Sequence, residues 1–212
     1  MNTEVLEQIE RDPLVVHTSP VVEMDDERFF RFCQLNRDLR IERTAEGDLI
    51  IMPPAGGSSS SGNAELTFLF QSWARREGTG KIFDSSGGFR LPNGATRSPD
   101  VCWVRKKRLD RINEEEWEKC LPLCPDFVLE LRSPSDPLRM VKQKMEEYLE
   151  NGARLGWLLD APRKQVHVYR PGEPPVLLDN PAKLSGDPVL PGFELDVPQV
   201  WEAMKRKRRQ RE

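Results

Sequence analysis

The sequence predicts one α/β domain, a central mixed β-sheet flanked by helices, and three observations carry that prediction. Residues 127–131 form an apolar run broken only by Glu130, the pattern of a strand covered on both faces. Residues 64–73 and 140–149 instead repeat their apolar side chains at helical spacing. The 212 residues, 37% of them hydrophobic, lie within the usual range of a single domain with short appendages.

Residues 1–24 read as a polar N-terminal extension. Residues 25–36 place Phe29, Phe30, Phe32 and Cys33 among charges at helical spacing, which predicts a first helix. Residues 39–52 read as strand, turn and strand around Glu46-Gly47-Asp48. A Pro-, Gly- and Ser-rich loop is expected over residues 53–62, followed by a helix carrying Ala64, Leu66, Phe68, Leu69, Phe70 and Trp73 and ending near Gly78. Residues 87–104 read as two strands around Leu91-Pro92-Asn93-Gly94, because Asn-Gly supplies the positive φ angles of a tight hairpin. The second of these strands carries Asp100. Asp136-Pro137 starts another helix, with Asp as cap and Pro in the first turn, and Gly152 stops it. Residues 155–159 and 166–169 give a further hairpin, before Pro-rich connections and the segment 189–195. The main domain is expected over residues 25–203, and residues 204–212 form a basic tail of the kind that usually ends in solvent.

Bulk properties exclude several classes. A net charge of -3 argues against coating nucleic acid by bulk electrostatics, so any such contact must be local. The 4 cysteines show no framework spacing and no secretory leader is evident, which suggests a reduced, cytoplasmic protein. Cys120 and Cys124 lack a second ligand pair for zinc, with His17 and His167 remote. No apolar stretch reaches the ~18 residues that would suggest a membrane span.

Glu130 is the most informative residue. A carboxylate inside Phe127-Val128-Leu129-Glu130-Leu131 costs several kcal/mol unless a cation or donors compensate, so something positive should sit beside it. A structural ion pair with Arg132 is one answer. Ser98-Pro99-Asp100-Val101 adds a second acid at a strand entry, which alone would read as a turn aspartate. Together, two acids on neighbouring strands form an oxygen-rich site suited to Mg2+ or Mn2+.

Pro99-Asp100 followed by Glu130-Leu131-Arg132 resembles the PD-(D/E)XK nuclease motif, with Arg132 where lysine is usual. Arginine stays protonated and cannot act as a general base, though it can hold a phosphate or support Glu130. The ordered series Gly88-Phe89, Leu91-Pro92-Asn93-Gly94, residues 125–130, residues 132–136, Lys144, Tyr148, Gly152, Trp157, Asp160 and Leu190-Pro191-Gly192-Phe193 resembles the bacterial Uma-two family of restriction-endonuclease-like proteins, from about residue 25 to 201. The resemblance implies a restriction-endonuclease-like core and metal-dependent hydrolysis of nucleic acid, DNA above all. It also implies that the motif lysine is displaced to the next helix, at Lys144. Consistent with that, Lys144 lies one turn from both Met140 and Tyr148 on a partly apolar helix face. By the same resemblance Glu65 is an auxiliary metal carboxylate. Gln143 and Ser133 are further candidates to lie near the site and orient ligands. Homodimerisation is expected by analogy, since cutting both strands of a duplex favours two sites.

The main rival is a nuclease-fold protein without cleavage, a DNA-binding or interaction module in which Arg132 neutralises Glu130. A serine hydrolase fits poorly, since no Gly-x-Ser-x-Gly elbow is present. A P-loop fails because Gly80-Lys81 is followed by Ile82 rather than Ser or Thr.

Overall fold

The structure is a computed structural model and describes residues 13–18 and 21–206. Its N-terminal part is a small antiparallel sheet with one helix. Strand β1 (Leu14–Val16) is followed by helix α1 (Asp26–Leu35), capped by the Asp25 side chain on Arg28 N–H. Strands β2 (Arg40–Arg43) and β3 (Leu49–Met52) form the expected hairpin, and β1, from the segment read as a polar extension, adds to its edge.

Helix α2 spans Gly57–Glu77, so residues 57–62 are helical where a loop was expected. Its first turns seat tightly against Leu131, Ala203 and Met204. Ser58 and Ser61 donate to the carbonyls of Met204 and Ala203, and a Cβ on Gly62 would stand 2.7 Å from Leu131 Cδ2. Small residues are used there because the helix must approach closely, a tertiary requirement that outweighs their low propensity.

Strand β4 (Gly80–Asp84) follows, then β5 (Phe89–Arg90) and β6 (Thr96–Arg97) around the Asn93-Gly94 turn, with Gly94 at a φ of 91°. The strand expected to run on through Asp100 is broken instead. Thr96 and Arg97 pair in the N-terminal sheet, whereas β7 (Val101–Arg105) belongs to the central one. Pro99 lacks the N–H that a continuous ladder would need, and the chain changes sheets across it. Two short helices, α3 (Lys106–Leu109) and α4 (Glu114–Trp117), lead to β8 (Phe127–Arg132). Helix α5 (Leu138–Glu150) crosses over to β9 (Leu155–Asp160), which hairpins into β10 (Gln165–Tyr169) and β11 (Val176–Asp179). Strands β12 (Lys183–Ser185) and β13 (Glu194–Asp196) and helix α6 (Val197–Ala203) complete the described chain.

The central sheet has the order β11-β10-β9-β8-β7-β4. Only β8 and β9 are parallel, so the sheet is mixed and needs α5 as its crossover. Every residue of β8 and β9 is buried, as the apolar run implied. Odd-numbered residues of β8 (Phe127, Leu129, Leu131) join the core beneath α2 and α6. Even-numbered Val128 turns the other way, into the core shared with Met145 and Tyr148 of α5. Glu130 and Arg132 share that second face. Gly156 lets α5 sit close on β9, where a Cβ would meet Met145 Cε at 2.6 Å.

Candidate active site

The site forms where the end of β8 meets the start of β7. Glu130 is 8% exposed, and its Oε1 accepts from Lys144 Nζ at 2.9 Å and from the Tyr148 hydroxyl at 3.1 Å. Lys144 and Tyr148 are one turn apart on α5, so a single helix face delivers both donors. The cation that a buried Glu130 demands is therefore Lys144. Burial pushes the Glu130 carboxyl up to about 7; Lys144 opposes this, while Asp100 and Glu42 reinforce it. Burial works against the Lys144 charge, but Glu130 and Glu42 outweigh it and hold the ammonium protonated well above its ordinary range.

Asp100 immediately precedes β7 and is half-buried. Its Oδ2 accepts from Leu131 N–H at 2.8 Å, fixing it to the residue after Glu130. Its Oδ1 accepts from Asn63 Nδ2 of α2 at 3.0 Å. Burial raises its pKa, partly countered by that Leu131 N–H, by Lys144 and by Arg40. The donor end of the Asn63 amide is committed to Asp100, which leaves Asn63 Oδ1 buried and without a hydrogen-bond partner among the described residues. A groove of about 520 Å3 runs from Asp100 along α2, lined by Asn63, Phe68, Gln71, Arg75 and Asp84.

A third carboxylate stands behind Lys144. Glu42 of β2 is 2% exposed and accepts from Lys144 Nζ at 2.8 Å and from Ser98 N–H at 2.9 Å. Burial works against its ionisation, but Lys144 and Arg97 hold its pKa below the usual carboxylate value.

This arrangement joins two acids and a lysine from three elements, as the sequence series implied. Residues 26–198 match the Uma2 family, described as "Putative restriction endonuclease". The chain belongs to the Uma2 family. No curated protein matches it. Among solved structures it is similar to a protein from Anabaena variabilis described as a "putative nuclease belonging to DUF820", at 21% identity and a TM-score of 0.67, over 78% of this chain and 91% of that one. The likeness shows the fold: a mixed sheet flanked by helices, shared with a protein described as a nuclease.

Within this Uma2 chain the other expected site residues lie elsewhere. Arg132 does not neutralise Glu130. Although both face the same side of β8, Arg132 donates to Asp160 Oδ1 at 2.8 Å and to the Asp136 carbonyl at 2.8 Å, and it is 3% exposed. Burial on all sides explains the choice, since an arginine there needs an acid directly across the parallel ladder, and Asp160 is its register partner. Glu65 is not brought to Asp100 either. Two residues along a helix turn it by about 200° from Asn63, and its Oε1 accepts from Gln199 of α6 at 2.7 Å. Gln143 is exposed and bonded to Arg139, and the Ser133 hydroxyl pairs with that of Ser135. Among the described residues no three His, Cys, Asp or Glu side chains converge as a ready-made metal cage.

Sequence reasoning missed Asn63, Glu42 and Tyr148 as site residues. Asn63 fell just past the expected loop, and Glu42 sat among charged neighbours in Arg40-Ile41-Glu42-Arg43, so neither stood out. Tyr148 was read as part of the apolar face of α5, though its i, i+4 relation to Lys144 was visible.

No described helix is long and apolar enough to cross a membrane. The basic tail lies largely outside the described residues.

Proposed function

We propose that this Uma2 protein is a divalent-metal-dependent endonuclease of the PD-(D/E)XK type, hydrolysing phosphodiester bonds in DNA. One observation carries the reading. Lys144 reaches across from α5 to Glu130 at 2.9 Å, supplying the lysine that the motif lacks at position 132.

The residues present suit a hard cation. Asp100 and Glu130 offer carboxylate oxygens, and Asn63 Oδ1 is a buried oxygen with no donor to satisfy it among the described residues. An all-oxygen set of this type matches Mg2+ or Mn2+, which keep several waters and need few protein ligands. Such a cation, when bound, polarises a phosphoryl oxygen and makes nearby water more acidic.

The chain's own groups then divide the work. Asp100 is braced through Leu131 N–H and Asn63, so its geometry is set before substrate arrives. Lys144, held protonated, cannot take the proton of the attacking water; its ammonium orients that water by donation or meets the negative charge that develops on the phosphoryl oxygens. It carries three donors, and Glu42 and Glu130 account for two. The groove along α2 offers Arg75, Gln71 and Phe68 to a strand leaving the site.

A binding protein without cleavage is the second reading, favoured by the fact that Lys144 supplies a counter-charge to Glu130 from within the chain. Calorimetry with Mn2+ and then Mg2+ on wild type, Asp100→Ala and Glu130→Ala, followed by plasmid nicking, separates the two. Metal binding and nicking that both variants lose support the nuclease. A wild type that binds neither metal, yet shifts DNA, supports the binding module. The proposed homodimer, which would place two sites on a duplex, is tested by sedimentation equilibrium with and without DNA.

A further inference from the structure

We infer that Glu42, from the N-terminal hairpin, is a positioning residue for this reaction, holding Lys144 beside Glu130 and fixing the chain just before Asp100. The inference rests on the nuclease reading above. The hairpin would otherwise look like an appendage, since it pairs in a separate sheet from the one bearing Asp100 and Glu130.

Three contacts carry the argument. Glu42 Oε1 accepts from both Lys144 Nζ at 2.8 Å and Ser98 N–H at 2.9 Å, so one oxygen ties α5 to the segment two residues ahead of Asp100. Its Oε2 receives Arg97 Nη1 at 3.3 Å. Arg97 in turn pairs through Nε with Glu147 at 2.5 Å, one turn along α5 from Lys144. Glu42 is thus the hub at which β2, β6 and α5 meet.

A carboxylate is needed at that hub for a chemical reason. With Glu42 present, the ammonium is shared between two acids and stands off to one side of Glu130, which leaves Glu130 a second oxygen for a cation. Without that charge, Glu130 is the remaining acid among the described residues within salt-bridge distance of Lys144, and the ammonium is no longer shared. Lys144 then competes with the metal instead of assisting beside it. A structural role alone, neutralising buried Arg97, would lower stability but leave the turnover of folded protein intact.

The test uses the full chain with Glu42→Gln and Glu42→Asp, alone and combined with Lys144→Ala. The first readout is independent of activity: acetylation of Lys144 by an N-hydroxysuccinimide ester, followed by peptide mass spectrometry, with the remaining lysines as internal reference. Glu42→Gln is expected to lower Tm, because buried Arg97 loses an acid, and, at a temperature where it is still folded, to raise the Lys144 rate severalfold while the reference lysines hold; Glu42→Asp should restore part of the protection. The second readout is plasmid nicking with Mn2+. Glu42→Gln should lower kcat on the order of tenfold to a hundredfold, in the range of groups that orient a site's ligands, with KM little changed. Added to Lys144→Ala it should cost much less than it does alone, the remainder being its hold on Ser98 N–H. Unchanged Lys144 labelling in folded Glu42→Gln, or a loss of kcat that adds fully to that of Lys144→Ala, overturns the inference. If the wild type nicks and Lys144→Ala does not, but Glu42→Gln nicks normally, this inference fails and the nuclease reading stands. If the wild type cleaves nothing, the nuclease reading fails, and the labelling still decides whether Glu42 positions Lys144. Should Glu42→Gln not fold, Glu42→Asp carries both readouts.

Discussion

Lys144 Nζ lies 2.9 Å from Glu130 Oε1, so the acid buried in β8 meets its counter-charge from a residue of the next helix, 14 positions along the chain, rather than from its neighbour Arg132. Removing that ammonium has two separable effects. Lys144→Ala withdraws the charge that opposes the upward shift of Glu130, so the Glu130 pKa should rise beyond about 7. It also withdraws the group that meets transition-state charge, which is worth about 100-fold to 1000-fold in kcat for a well-placed donor. Single-turnover nicking, with Mn2+ calorimetry on the same protein, checks both: the rate should fall by about 100-fold to 1000-fold while metal binding above pH 8 survives. Wild-type turnover by Lys144→Ala would remove the lysine from the mechanism.

The metal-free protein should show a pH signature of Glu130. Its carboxyl holds a proton more tightly when folded, up to about 7 against an ordinary 4.5. Its contribution to stability is therefore present below pH 4.5 and lost as pH rises toward 7, by as much as about 3 kcal/mol. Glu42, whose pKa is lowered, acts in the opposite sense and at lower pH, where its contribution is lost on acidification. Burial also lowers the pKa of His167, which loses its contribution as pH falls through the same region. The difference between wild type and Glu130→Gln isolates the contribution of Glu130. Urea unfolding in chelator at pH 5 and pH 8 should show wild type losing stability relative to Glu130→Gln at the higher pH. A pH-independent difference would contradict a protonated Glu130.

Arg132 should prove structural. It pairs with Asp160, which is fully buried and also takes Arg163 at 3.0 Å. Arg132→Ala would leave that buried acid to the half-exposed Arg163, at a cost of up to about 3–5 kcal/mol. Thermal unfolding should show a large loss, and Arg132→Lys, which keeps the charge but not the second guanidinium contact to the Asp136 carbonyl, should lie between. Activity per folded molecule should stay near wild type, provided the assay is run well below the variant's Tm. A stable Arg132→Ala protein with no activity would return Arg132 to the catalytic set.

These contrasts show where sequence reasoning reached and where it stopped. The β8 strand was legible because burial on both faces leaves a continuous apolar run, and an acid inside such a run announces a compensating cation. Its partner Lys144 was reachable through i, i+4 spacing with Tyr148 and through the family series. Arg132 misled because adjacency in sequence is a poor guide within a parallel ladder, where the residue across, Asp160, is 28 positions away. Helix α2 began earlier than its Gly and Ser content implied, since close approach to Leu131 and Met204 rewards small residues. That early start is what carries Asn63 to Asp100. Glu42 was hidden for a different reason: its strand is four residues long and mostly charged, so no periodicity marks it as buried.

Asn63 offers the sharpest test of a group kept for function rather than stability. Its Nδ2 supports Asp100 Oδ1 at 3.0 Å, while its Oδ1 is buried without a partner among the described residues. An unsatisfied buried acceptor costs roughly 1–3 kcal/mol, whereas the single hydrogen bond it accompanies returns about 1 kcal/mol. Asn63→Ala, which removes both, should leave the stability of chelated protein unchanged or slightly raised. The same substitution frees Asp100 on one side and deletes the unpaired oxygen of the amide bonded to it, so Mn2+ affinity should fall by about tenfold to a hundredfold. Thermal unfolding in chelator and calorimetry with Mn2+ on one preparation read the two effects separately. A variant that loses Tm but binds Mn2+ as wild type does would mean that Asn63 merely pins α2 to the sheet; one that keeps its Tm and loses the metal places the amide in the working site.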